Sequence, residues 1–72
     1  MKNDNIEIIQ INISGEDKPG LTSSLTGILA RHDAFILDIG QSNIHQSLTL
    51  GILFMTTSER SGQIMKELLF KA

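Results

Sequence analysis

The sequence predicts an α+β fold whose elements follow the order β-α-β-β-α. Three observations support this class. The first apolar run reads IEIIQINI, and its density of isoleucine is typical of a strand. Two later segments carry apolar residues at helical spacing, one soon after this run and one at the end of the chain. Two runs between them alternate in polarity as paired strands do. With 72 residues, the chain has room for one small domain, which we place at residues 1–72.

The first strand is predicted at Ile6–Ile13 and the first helix at Leu21–His32. Branched side chains fit the pleated surface of a sheet, and three isoleucines of the strand share one face: Ile9, Ile11 and Ile13. The opposite face carries Ile6, Ile8, Gln10 and Asn12. The helix has one apolar side, formed by Leu21, Leu25, Ile28 and Leu29, with His32 in its last turn.

Two further strands are predicted at Phe35–Ser42 and Ser47–Thr57, with a hairpin turn within Asn43–Gln46. The second strand should alternate Phe35, Leu37, Ile39 and Gln41 against Ile36, Asp38, Gly40 and Ser42. The third has one apolar face, made of Leu48, Leu50, Ile52 and Phe54. A second helix should begin at Ser58 or Glu59. Its apolar residues are Ile64, Met65, Leu68 and Leu69.

This order is that of the ferredoxin-like fold, the split βαβ unit, without its last strand. Two helices on one face of an antiparallel sheet explain why one face of each strand is more apolar than the other. We expect the fourth strand to be absent, since the sequence ends at Ala72 in the second helix.

Composition argues against several classes of protein. Six basic and eight acidic residues give a net charge of −2, and the only aromatic residues are three phenylalanines. A nucleic-acid-binding face would be basic and rich in aromatics, so no nucleic-acid partner is expected. No apolar run approaches the roughly 20 residues that span a bilayer, so no membrane partner is expected either. The chain has no cysteine, which fits a cytoplasmic location. Two histidines, His32 and His45, are too few for a metal site without further ligands, and no cofactor is expected.

The junction between the first strand and the first helix is the main candidate site. It reads GEDKPGLTSSL, Gly15–Leu25. Asp17 is placed to accept hydrogen bonds from the free amides of the helix, and Pro19 suits a first helical turn. Gly20 has no Cβ, so a ligand could approach the backbone there. A carboxylate beside free amides would suit a zwitterion such as an amino acid. The alternative is that these residues only start the helix.

Two stretches together resemble the ACT domain, a small regulatory module of amino-acid metabolism. The first is SGEDKPGLTSSLTGILARHDAFILDIGQ, whose Asp-Lys-Pro-Gly turn matches the D-x-P-G turn of that family. The second is ILDIGQSNIHQSLTLGILF, which resembles the ACT region at the N-terminus of bacterial phosphoserine phosphatases. The resemblance extends from Ile6 to about Leu69 and implies a βαββαβ fold.

The resemblance also implies a ligand site. In the family, an amino acid binds where the first turn and helix meet a neighbouring ACT domain, and here the ligand would be L-serine. The implied ligand positions are Glu16, Asp17, Pro19, Gly20 and Leu21, with Asp38 and Gln41 in the second strand. Serine-binding ACT domains of the dehydrogenase in the same pathway look to use an asparagine and a histidine where this chain has Phe35 and Gly15. A purely structural ACT domain is therefore the alternative.

The resemblance implies that catalysis belongs to a parent enzyme. Phosphatases of this type use a magnesium-dependent Asp-x-Asp-x-Thr loop, and no D-x-D occurs in this sequence. The chain itself should therefore be a non-catalytic regulatory fragment, and magnesium is expected only for the parent's catalytic domain. We expect it to partner a second copy or a neighbouring ACT domain. Two other roles stay open: an assembly module without a ligand, and a free-standing ACT-like regulator.

Overall fold

The structure, a computed structural model, describes residues 5–71. Its elements are β1 (Ile6–Glu16), α1 (Leu21–Arg31), β2 (Phe35–Ile44), β3 (Ser47–Thr57) and α2 (Ser58–Lys71). The three strands form one antiparallel sheet in the order β1-β3-β2. Both the α+β class and the ferredoxin-like order predicted from the sequence are confirmed.

The core lies between one face of the sheet and the two helices. β3 is the central strand, and its side chains alternate between buried and more exposed positions. Its buried face is formed by Leu48, Leu50, Ile52 and Phe54. The helices close this core with Leu25, Ile28, Leu29, Ile64 and Leu68. α1 lies over β2, whereas α2 lies over β3 and β1. Among residues 5–71, no element covers the other face of the sheet, which is called the open face below.

β2 departs from the predicted alternation. Its register with β3 shifts between Ile36 and Asp38, so that Leu37 is an extra residue, a β-bulge. Before the bulge, Phe35 pairs with Met55, a residue of the open face, and is 62% exposed. The prediction that Phe35 shares a face with Ile39 and Gln41 was wrong, because the bulge reverses the alternation on one side of it.

The element ends differ from the predicted ones by a few residues. β1 continues three residues past Ile13, because residues up to Glu16 pair with β3. α1 ends at Arg31, and His32 is its C-cap. β2 extends to Ile44, which confines the hairpin turn to His45 and Gln46. His45 takes a φ of 56°, a left-handed conformation that such tight hairpin turns require.

The apolar stripe of α2 is narrower than its sequence suggests. Ile64 and Leu68 are buried and Met65 packs against the core, but Leu69 is 72% exposed. Successive residues of a helix are rotated by about 100°, so the side chain of Leu69 points about 100° away from that of the buried Leu68 and does not reach the core. Leu69 therefore belongs to a flank of α2 and not to its packed face.

Candidate functional site

The junction between β1 and α1 is a tight turn followed directly by the helix. The amide of Leu21 donates to the Lys18 carbonyl at 3.1 Å, and Gly20 has φ 80° and ψ 0°. These are the features of a type II turn, with Pro19 and Gly20 at its two central positions. Pro19 therefore precedes the helix and does not belong to its first turn, contrary to the prediction. Gly20 is required here because the second central residue has a positive φ.

Asp17 does not cap α1, which corrects the sequence-based interpretation. The N-cap is Gly20, which has no side chain to offer. The Asp17 carboxylate instead accepts a hydrogen bond from the Asn43 side-chain amide at 2.8 Å. The Asp17 backbone amide donates to the Gln46 carbonyl at 2.8 Å. Asp17 is thus held against the β2–β3 hairpin on both its backbone and its side chain.

A chain of side-chain hydrogen bonds connects this aspartate to the first turn of α1. Asn43 accepts at its Oδ1 from the Gln41 side-chain amide at 2.9 Å. The Thr22 hydroxyl donates to Gln41 Oε1 at 2.7 Å. Gln41 and Asn43 lie two residues apart on the helix-facing side of β2, opposite Leu50 and Leu48 of β3. The Thr22–Gln41–Asn43–Asp17 chain therefore ties α1, β2 and the turn into one polar surface.

The first turn of α1 leaves hydrogen-bond donors at the same end of the domain. The first hydrogen bond within the helix runs from the Ser24 amide to the Gly20 carbonyl. The amides of Thr22 and Ser23 come before it and so have no carbonyl acceptor within the helix. Within the described residues, no side chain caps this helix end and no acidic residue lies in its first turn. These amides and the helix dipole favour a negatively charged group, whereas Asp17 nearby favours a positive one.

The structure brings six of the seven implied site residues to this end of the domain. They are Glu16, at the end of β1, together with Asp17, Pro19, Gly20, Leu21 and Gln41. Leu21 is half-buried and also packs against the core. Asn43 was missed from the sequence. Its signal was its spacing, since a polar residue two positions beyond Gln41 on a strand shares its face.

Asp38 lies elsewhere. It pairs with Leu53 on the open face of the sheet, whereas Gln41 lies on the face that carries the helices. Its carboxylate accepts from the adjacent Ile39 amide at 2.9 Å, at the bulge. Asp38 borders a shallow depression floored by the facing pair Gly40 and Gly51. The prediction that Asp38 and Gln41 contribute to one site is therefore not supported by the geometry.

A second polar cluster joins the two helices at the opposite end of the molecule. Glu67 of α2 bonds to Arg31 and, at 2.8 Å, to His32 Nε2. The hydrogen bond from His32 lowers the pKa of the Glu67 carboxyl, and the positive charge of Arg31 acts in the same direction. Close by, Arg60 bonds to the Asp33 carboxylate and to the His32 carbonyl, each at 3.0 Å. This cluster fixes α1 against α2.

Two kinds of feature are not found among residues 5–71. No three histidine, aspartate or glutamate side chains come together in a way that could hold a metal ion. Neither described helix has the length and apolar character needed to cross a membrane.

Comparison with known proteins identifies close similarities. The family model described as "ACT domain" matches residues 7–72. The phosphoserine phosphatase SerB2 of Mycobacterium tuberculosis (strain ATCC 25618 / H37Rv) is 42% identical over 45 residues. That match covers 62% of this chain but only 11% of the phosphatase, so the chain corresponds to a small part of that relative.

Two solved structures share the fold. One is the crystal structure of the ACT domain from GTP pyrophosphokinase of Chlorobium tepidum, with a TM-score of 0.68 and 25% identity. It matches over 92% of this chain and 84% of its own. The solution NMR structure of the same domain gives a TM-score of 0.63 and 25% identity, with coverages of 88% and 73%.

Proposed function

The chain belongs to the ACT domain family, and on this basis we propose that it is the amino-acid-binding regulatory module of a phosphoserine phosphatase of L-serine biosynthesis. The parent enzyme would hydrolyse O-phosphoserine to serine in the cytoplasm, with magnesium in its own catalytic domain. The similarity to the mycobacterial phosphatase over 45 residues supports this choice of parent.

The observation that carries the proposal is the pairing of opposite polarities at the β1–α1 junction. The exposed Asp17 carboxylate can bind an ammonium group, and the amides that open α1 can bind a carboxylate. An α-amino acid presents both groups within a few ångströms of each other. L-serine adds a hydroxyl group, for which Gln41 and Asn43 offer amide partners.

The hydrogen-bond chain gives this site a means to transmit binding. An ammonium group bound at Asp17 would compete with the Asn43 amide for the carboxylate. Asn43 is linked through Gln41 to Thr22, so such competition would shift the contact between β2 and α1. A ligand can bias a parent enzyme only through a difference of this kind between bound and free states.

Isothermal titration calorimetry tests the proposal with L-serine, glycine and O-phosphoserine. The variant Asp17→Asn removes the charge but keeps an oxygen that can accept from Asn43. Loss of a hydrogen bond to a charged group costs about 1.5–3 kcal/mol, so serine affinity should fall about tenfold or more. The matched control is Glu59→Gln, which makes the same change in the first turn of α2 and should leave affinity unchanged.

Two results would contradict the ligand-binding role. One is the absence of a heat signal with all three compounds, and the other is an equal loss of affinity in both variants. The first result would favour the second candidate, an assembly module without a ligand. That candidate draws its support from the sheet order β1-β3-β2, in which β2 is an outer strand that pairs only with β3 among residues 5–71.

A further inference from the structure

A groove follows the seam between the two helices on the side away from the sheet, and we call it the seam groove. Residues of both helices line it, among them Ser24, Gly27, Arg31, Lys66, Phe70 and Lys71. The α1 residues are spaced by three and four positions, so they share one face of the helix. Arg31 forms an ion pair with Glu67. Lys71, one turn further along α2, lies beside Ser24. The helices therefore run antiparallel along this groove.

The surface of the seam groove is apolar. Its floor is Ile28, which is buried, and its wall includes Phe70, which is 91% exposed. Next to Ile28, Gly27 has no side chain, and an added Cβ would meet no atom within 4 Å, so the backbone of α1 is bare there. The charged residues that line the groove contribute mainly their aliphatic stems. An apolar surface with a charged rim is typical of protein interaction sites.

The rim of the seam groove is positively charged, although the chain has a net charge of −2. Three of the six basic residues of the chain line the groove, with only one of its eight acidic residues, Glu67. The Glu67 carboxylate is already bonded to Arg31 and His32. Neither Lys66 nor Lys71 forms an ion pair with any residue between 5 and 71. The charge that remains at the rim favours an acidic partner.

The dimensions of the seam groove suit a helix better than a small molecule. Its deeper part has a volume of about 220 Å³ and is open to solvent. Sites for small molecules are usually about 300–1,000 Å³ and enclose most of the ligand. Ser24 and Arg31 are seven residues apart on α1, so the groove is about 10 Å long, or two turns of a helix. An amphipathic helix fills such a groove with its apolar face.

We propose that the seam groove binds an acidic amphipathic helix of a partner protein. One apolar side chain of that helix lies over Gly27, where the missing side chain lets it reach Ile28, and another packs against Phe70. Carboxylates beside this apolar stripe face Lys66 and Lys71. None of these residues belongs to the amino-acid site at the β1–α1 junction, so this inference does not rest on the proposed ligand.

Fluorescence anisotropy with labelled peptides tests the proposal on the 72-residue chain. The probe is a peptide of about 14 residues, long enough to form a helix, with leucines at i, i+3, i+4 and i+7 and glutamates on both sides of them. The control peptide has lysine in place of each glutamate. The acidic peptide should bind about tenfold more tightly, and its affinity should fall as salt is added. The net charge of −2 alone would favour the basic peptide, so this preference reports the groove.

Two pairs of variants locate the binding surface. Phe70→Ala removes an aromatic anchor and should weaken binding of the acidic peptide about tenfold. Its matched control, Phe35→Ala, makes the same truncation on the open face of the sheet and should leave the affinity unchanged. Lys66→Glu should weaken binding about fivefold, whereas Lys18→Glu, which changes the net charge equally outside the groove, should have little effect. Far-UV circular dichroism checks that each variant is folded.

The proposal would be overturned if the acidic peptide did not bind, if both peptides bound equally, or if each variant matched its control. Three other occupants would also overturn it. Octanoate that displaces the acidic peptide would assign the groove to small amphiphiles. Cosedimentation with phosphatidylglycerol vesicles that Phe70→Ala abolishes would assign it to a membrane surface, and self-association that the same variant abolishes would assign it to a second copy. If Phe70→Ala does not fold, the lysine variants decide between the outcomes.

Discussion

Replacement of Phe54 by alanine should bring the domain close to the limit of its stability. Phe54 is completely buried on the central strand and lies between Ile9 of β1 and Ile36 of β2. Truncation of a buried phenylalanine to alanine costs about 3–5 kcal/mol. A domain of 72 residues has a free energy of unfolding of about 4–11 kcal/mol. The variant should therefore unfold where the total lies at the low end of this range, and keep no more than about 6–8 kcal/mol where it lies at the high end.

Phe70→Ala is the matched control. Phe70 is 91% exposed on α2, and the same truncation there should change the free energy of unfolding by no more than about 0.5 kcal/mol. Urea titration followed by far-UV circular dichroism measures both variants, since the chain has no tryptophan or tyrosine for fluorescence. Equal protein concentrations are needed because association adds to apparent stability. Equal losses in the two variants would refute the placement of the core between β3 and the helices.

Three further predictions follow from local features. Gly20→Ala should lower the free energy of unfolding in urea titration by about 1–2 kcal/mol, because the φ of Gly20 is +80°. Gly27→Ala should instead raise it by up to about 1 kcal/mol, because alanine favours the helix more than glycine does. An added Cβ meets no atom within 4 Å at either site, so sterics do not decide the difference. The lowered pKa of Glu67 means that its contribution to stability is present above its usual value of 4.5 and is lost as pH falls through the folded-state pKa. Wild type should therefore lose more stability than Glu67→Gln in acid, and parallel acid titrations of the two would contradict this. Finally, the chain should release no phosphate from O-phosphoserine with magnesium, and turnover above a buffer blank would show that it carries a catalytic site.

The element types could be predicted because their patterns are local. Each of these patterns is compatible with only one element type: the isoleucines of β1 and the alternation of β3 with a strand, and the apolar spacing of α1 with a helix. The predicted bounds of β3, Ser47–Thr57, are the observed ones. The bulge at Leu37 could not be predicted, because an extra residue in a strand is determined by the register with its partner. The exposure of Leu69 could not be predicted either, because it depends on how α2 is oriented against the sheet.

The turn between β1 and α1 could be predicted from the sequence, whereas the contacts of its side chains could not. The Asp-Lys-Pro-Gly motif marked the position of the turn because few residues suit its backbone angles, but Pro19 lies at the first central position of the turn and not in the first helical turn as predicted. The carboxylate of Asp17 has two plausible uses, a helix cap or a partner across the hairpin, and only the fold decides between them. The predicted alternation of β2 already put Asp38 and Gln41 on opposite faces, and the register with β3 agrees. Only the resemblance to the family grouped these two residues in one site.

The central claim is that an amino acid binds at the β1–α1 junction, and amide chemical shifts on titration with L-serine test it most directly. In ¹⁵N–¹H spectra of the wild-type chain, the largest shifts should fall at Asp17 and Gly20–Ser23, with smaller ones at Gln41 and Asn43. The amides of α2 should stay in place. Shifts that cluster in α2 or around Asp38, or no shifts at millimolar serine, would contradict the claim.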